Sequence, residues 1–152
     1  GFCVTYESMP AAEPTYHRRQ SMLAMTEQPS SRVHATLRVL DEASLRRLHE
    51  LDPQGTGRVV ERVLRTFEGS LLRLLAQAAQ AHAEGDGEAV RHAAHTLKSS
   101  SASVGALELS RCCADIENRV RTQQTEGLGE RLAAMQAEGA LVLQAVRERL
   151  SA

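Results

Sequence analysis

A chain of 152 residues with 42% hydrophobic side chains can close one modest core, and with 3% aromatics and no Trp that core must be built from Leu, Val and Ala. Such residues pack well between helices and less well in a sheet. A formal net charge of −1 with no lysine- or arginine-rich run argues against nucleic acid as the main partner, and no apolar run approaches the roughly 20 residues needed to span a bilayer.

The N-terminal stretch, 1–35, shows no clean period. Pro10, Pro14 and Pro29 interrupt it, so it reads as a flexible leader or linker with some helical character around His17–Met25. A start at Gly1 rather than Met leaves open a processed chain or a piece of a longer one. Residues 36–152 form the predicted domain. Asp41-Glu42-Ala43-Ser44 places acidic groups where a helix start has unsatisfied N–H donors, and a short helix should run to Leu51 before Asp52-Pro53-Gln54-Gly55 stops it. A long helix opens at Thr56 or Gly57. Val60, Leu64, Phe67, Leu71, Leu74, Ala78 and Ala81 give it one apolar stripe. Gly85-Asp86-Gly87 breaks it, with Asp86 as the next cap.

The third helix, about Gly87 to Val104, turns Val90, Ala94, Leu97, Ser101 and Val104 inward, and Gly105 changes the chain direction. A fourth helix presents Leu109, Cys113, Ile116 and Val120 and is ended by Gly127-Leu128-Gly129. A fifth carries Leu132, Met135, Gly139, Val142, Val146 and Leu150. The pattern predicts an all-α fold: an antiparallel four-helix bundle with a short extra N-terminal helix. Three cysteines, Cys3, Cys112 and Cys113, are an odd number, with two adjacent. They make no disulfide framework and favour a reducing cytoplasm; no secretory signal shape is present.

Chemistry concentrates in His95-Thr96-Leu97-Lys98-Ser99-Ser100-Ser101-Ala102-Ser103-Val104-Gly105-Ala106. With Ala94 and Leu97 inward, His95 falls on the helix rim, Lys98 one turn later and Arg91 one turn earlier. That geometry predicts an exposed imidazole between two cations, beside the small residues Ser99 and Ala102. Neutral imidazole is a nucleophile near physiological pH, and a nearby ammonium can steady a transferring phosphoryl group.

The stretch resembles the signature of histidine-containing phosphotransfer (HPt) domains, H-x-L-K-G-S with a later Gly-Ala and Leu. His95, Leu97, Lys98, Ser100, Gly105, Ala106 and Leu109 fall on matching positions. The similarity runs from roughly Leu40 to Leu150, taking in Phe67, the Gly85-Asp86 break and Cys113–Ile116–Glu117. The family glycine after the lysine is Ser99 here. The resemblance implies that His95 is phosphorylated and Lys98 stabilises the phosphoryl group. Arg91, Ser99 and Ala102 would line a docking rim, and Leu97, Ser100, Gly105 and Ala106 would be structural. It implies a phosphorelay carrier rather than an enzyme, with no ATP site and no cofactor, magnesium being needed only on the receiver partner. Partners would be response-regulator receiver domains and a hybrid sensor histidine kinase, with no nucleic acid and no membrane; the expected state is a cytoplasmic monomer.

Plainer readings stand beside these. His95 read alone is a surface histidine, Lys98 a solvated charge and Arg91 a surface cation. His92 and His95 with Cys112 and Cys113 fit no standard zinc spacing. His17, His34, His49 and His82 have no constellation around them. Two other functions compete: a non-phosphorylated interaction bundle of the same shape, and the dimerisation helices of a histidine kinase. The second is disfavoured by Thr96 after the histidine, by the missing proline after Lys98 and by the short remainder of the chain. The chain as C-terminal module of a hybrid kinase stays open.

Overall fold

The computed structural model describes residues 39–152. The expectations for the 1–35 leader, including a helix around His17–Met25, and for Cys3, His17 and His34 lie outside the described residues. Among the described residues the order is α1 (Glu42–Glu50), α2 (Val59–Ala83), α3 (Gly87–Ser103), α4 (Leu107–Arg121) and α5 (Leu128–Ser151), with no strand. Helices α2 to α5 pack as a ring in which α3 touches α2 and α4, and α5 closes against both α2 and α4. This is an all-α antiparallel four-helix bundle, and α1 is the short extra N-terminal helix.

Sequence caps set two of the starts. The Asp41 carboxylate accepts from the Ser44 backbone N–H at 3.0 Å and from the Ser44 hydroxyl at 2.7 Å. Asp86 accepts from the Ala89 N–H at 3.0 Å and opens α3. Such caps satisfy donors that the first helical turn leaves orphaned.

Two boundaries differ from the expected ones. Helix α2 starts at Val59, not at Thr56 or Gly57, because the Asp52 carboxylate takes the Gly57 N–H at 2.8 Å and Arg58 turns left-handed at φ 51°. Helix α4 stops at Arg121, before Gly127-Leu128-Gly129. Gln123 adopts φ 59° and the Gln124 N–H reaches the Arg119 carbonyl at 2.8 Å, while Gly127 instead opens α5. A left-handed Gln carries no sequence signal, since glycine and asparagine are the residues that favour that conformation.

The inner stripes are those the periodicity gives. Leu64, Phe67, Leu71, Leu74, Ala78 and Ala81 of α2 are buried, as are Val90, Ala94, Leu97 and Ser101 of α3, Leu109, Cys113 and Ile116 of α4, and Leu132, Met135, Gly139, Val142 and Val146 of α5. Val60, Val120 and Leu150 are only partly buried. Leu75 joins the core from outside the predicted stripe because Gly139 leaves room for it: a Cβ there would sit 2.7 Å from Leu75 Cδ1. The Ser101 hydroxyl is fully buried and has no hydrogen-bond partner among the described residues.

Gly105 makes the tight turn between α3 and α4. Its φ is +84°, the Ala106 N–H returns to the Ser101 carbonyl at 2.8 Å, and the Asp41 N–H donates to the Gly105 carbonyl at 2.8 Å. A Cβ at Gly105 would lie 2.9 Å from both the backbone N and O of Asp41. Gly85 has a similar φ of +72° but open space around it. Gly85→Ala should therefore cost about 1 kcal/mol from backbone strain alone, and Gly105→Ala about 3 kcal/mol or more, because backbone cannot yield as a side-chain end can. Urea denaturation of the two variants measures the difference. Equal losses would mean that the contact with Asp41 is not tight.

Candidate functional site

Helix α3 buries Val90, Ala93, Ala94 and Leu97, which rotates His95 to the opposite face. Its side chain is 56% exposed. His92, Thr96, Ser99, Ala102 and Ser103 are exposed on the same side of the helix, so the rim is made of small or polar residues. The sequence places this rim correctly. It does not place the imidazole's nearest partner.

That partner is Glu117, from the facing side of α4. Its Oε1 lies 2.8 Å from His95 Nδ1 and its Oε2 lies 2.7 Å from Lys98 Nζ. The carboxylate is mostly buried, with 15% of its side chain exposed. An ionised carboxylate only accepts, so the shared proton in a neutral ring sits on Nδ1, and the lone pair is left on Nε2. The Lys98 ammonium is the main influence holding the Glu117 carboxyl below the usual range. The His95 contact works the same way, and desolvation opposes both.

The picture of an imidazole between two cations is thereby corrected. Arg91 folds back along its own helix and forks onto Glu88, while Lys98 is held by Glu117. The group bonded to His95 is an anion. Arg91 is near enough to feel the Glu117 charge but makes no bond to His95.

The other predicted residues divide by role. Leu97, Gly105 and Ala106 are buried, and Ala106 packs in the core at the α3–α4 turn. The Ser100 hydroxyl donates to the Thr96 and Leu97 carbonyls at 3.2 and 3.3 Å, bonding back into its own helix. Ser110, unremarked in the sequence, reaches from α4 to the Lys98 carbonyl at 2.9 Å and ties the two helices beside the site. Ala102, about 10 Å along the axis from His95, faces a shallow recess with Ser44, Arg47, Leu48 and Leu51. On the α2 side, an open groove of about 530 Å³ runs between Val59, Val63 and Phe67 of α2 and Ser100, Ser103 and Val104. Among the described residues no cluster of three or more His, Cys, Asp or Glu is placed to hold a metal ion, and no helix is long and apolar enough to cross a membrane.

Comparison with known proteins gives two matches. Residues 62–151 match the model of the Hpt domain. The crystal structure of histidine-containing phosphotransfer protein B (HptB) from Pseudomonas aeruginosa PAO1 is similar at a TM-score of 0.68 and 26% sequence identity, over 74% of this chain and 95% of that chain. No curated protein matches the chain.

The Glu117 clamp has a pH signature. A carboxyl whose folded value is depressed stabilises the fold above its unfolded value, near 4.5, and that contribution is lost as pH falls through the lower folded value. Glu117→Gln removes this dependence. Urea midpoints of the variant should therefore lie below wild type at neutral pH, begin to approach it as the pH falls past 4.5, and meet it only below the lower folded value. A gap that stays constant with pH would show that the clamp is not ionic.

Proposed function

The chain belongs to the Hpt domain family and is a phosphotransfer carrier module, and from that premise we propose that His95 is its phosphoryl acceptor and exchanges the group with the aspartate of a receiver domain. The observation that carries this reading is the His95–Glu117 pair: a ring 56% exposed, with Nδ1 engaged at 2.8 Å and Nε2 left as the free nucleophile. Lys98, one turn away, supplies the positive charge for the phosphoryl oxygens. Magnesium belongs to the receiver in this reading. The module acts as a monomer without ATP, and the four-helix ring closes within one chain.

The docking face is the rim of α3 carrying Ser99 and Ala102, with Arg91 at its N-terminal end and the apolar α2–α3 groove alongside. Ser99 replaces a glycine of the family signature. It is exposed and small.

His95→Gln should abolish acceptance of label from a phosphorylated receiver while helical circular dichroism and melting temperature stay near wild type. The label on wild type should be lost in acid and survive alkali, as a phosphoramidate does. Labelling retained in His95→Gln would sink the assignment and direct attention to exposed His92.

Ala102→Arg should block transfer from the receiver and leave phosphorylation by phosphoramidate intact, because the small donor needs no docking face. Wild-type receiver rates in that variant would place docking on another side of the helix. Lys98→Ala should slow receiver transfer by less than the ~10²-fold seen when a donor is removed from an enclosed site, because water competes at this open one. Quench-flow rates equal to wild type would leave Lys98 as a solvated charge.

A further inference from the structure

Among the described residues six arginines form no ion pair: Arg46, Arg47, Arg58, Arg62, Arg73 and Arg121. Arg46, Arg47, Arg58 and Arg62 lie on α1, at the start of α2 or in the connection between them. We infer that Arg47 and Arg62 are specificity-determining residues: they bracket the C-terminal half of α3 and orient an acidic receiver over the α1 end of the bundle. The inference rests on His95 being the acceptor and a receiver being its partner.

Placement supplies the first argument. Two recesses flank α3, and Ser103 lines both. On the α2 side, Arg62 lines the groove of about 530 Å³ together with Val63 and Phe67. On the α1 side, Arg47 lines a recess of about 430 Å³ with Leu48 and Leu51. Leu51 is 72% exposed, an apolar side chain left beside a cation. Neither lining contains a carboxylate. Helix α1 lies outside residues 62–151, the part of the chain that matches the family model. Its wall of the recess is therefore a feature that the family match does not account for.

The charge balance supplies the second. Most carboxylates near these arginines are already engaged. Asp41 feels Arg47 but spends its oxygens on Ser44. Glu42 forks onto Arg149, Asp52 takes the Gly57 N–H, and Glu61 holds Arg65. Exposed Glu50 is left against four arginines. The other end of the bundle has the opposite balance. A Cβ at Gly87 would lie 3.6 Å from Val120, and one at Gly129 would lie 3.4 Å from His82 Nε2, so the α2–α3 and α4–α5 turns share that end. There Glu84, Glu126 and Glu130 are exposed without an ion pair, against Arg121. Charge thus runs along α3, from acidic at its N-terminus to cationic at its C-terminus, with His95 between.

A receiver reads that gradient. In the proposed function it binds magnesium, a hard cation held by carboxylates and other oxygens, so the mouth that approaches His95 is acidic. A standard interface buries about 800 Å² per partner, a patch roughly 30 Å across. Ser103 lies about 12 Å along the helix axis from His95, inside that footprint. An arginine fork matches a carboxylate in shape as well as charge. Rim charges of this kind act on the encounter and on the choice of partner, and leave the chemical step alone.

The test uses the full chain and a phosphorylated receiver domain that labels wild type. The variant is Arg47→Gln with Arg62→Gln, its fold checked by helical circular dichroism. Arg121→Glu changes the net charge by the same amount at the far end. At low salt the second-order transfer rate of the double variant should fall about 10-fold, and its salt dependence should flatten. The two rates should converge near ~0.5 M salt, where screening removes the difference. The rate at saturating receiver should stay within a few-fold of wild type. Arg121→Glu should stay within about 2-fold throughout, and phosphoramidate should label all three chains equally.

A double variant with the wild-type second-order rate and salt slope would overturn the inference. So would a loss in Arg121→Glu as large as in the double variant, which would reduce the effect to net charge. A loss confined to the saturated rate, or shared by phosphoramidate labelling, would make the two arginines structural and overturn it as well. A concentration-dependent dimer in sedimentation that the double variant abolishes would assign the recesses to a second copy instead. The underlying reading fails differently: no receiver labels wild type although phosphoramidate does, or His95 carries no acid-labile label from either donor.

Discussion

The turn at Gly105 admits no side chain, and the site depends on that. With φ at +84° and the Asp41 backbone 2.9 Å from where a Cβ would be, the chain reverses within three residues and sends α4 back along α3. The antiparallel pair is then stitched by the Ser110 hydroxyl on the Lys98 carbonyl at 2.9 Å. Only this close return allows a carboxylate on one helix to meet an imidazole 22 residues away in sequence on the other. A wider turn would separate the helices by more than a glutamate side chain can span.

Most of the bundle was legible because helix burial repeats every three to four residues, and this chain keeps the period in all four long helices. Every expected inner residue of α3 is buried, with Ala93 added to them; in α5 Leu128 is buried as well, while Leu150 is only partly so. What periodicity could not supply was local backbone geometry without a sequence mark. Arg58 and Gln123 adopt left-handed conformations that their side chains do not favour, and each moved a helix end. Leu75 was also hidden, since its burial depends on the missing side chain of Gly139 in another helix. A one-helix pattern cannot register a hole in its neighbour.

The site was half legible for a related reason. The rim position of His95 follows from the phase of α3 alone. Its partner follows only after α3 and α4 are folded about their turn. Counting equally outward from 105–106 brings residue 95 opposite 116–117, so the hairpin itself contained the signal for Glu117. Spacing along one helix suggested instead that Arg91 and Lys98 flank the imidazole. Arg91 failed that expectation because Glu88, one turn before it, offers a carboxylate at no cost in chain rearrangement.

The mix of exposure and burial suits a carrier that must release what it accepts. Were the imidazole as enclosed as the carboxylate, charges around the phosphoryl group would interact in a low dielectric and hold it strongly. A ring 56% exposed leaves that charge in near-aqueous surroundings, where each added contact is worth little. The carboxylate is sheltered instead, at 15% exposure, so its hold on Nδ1 varies little with salt or with what docks outside. Orientation is thus fixed from the inside of the bundle and transfer is left to the outside. If His95 is the acceptor as proposed, weak external binding keeps the two directions of transfer comparable, and the sheltered hydrogen bond keeps its ring oriented for each.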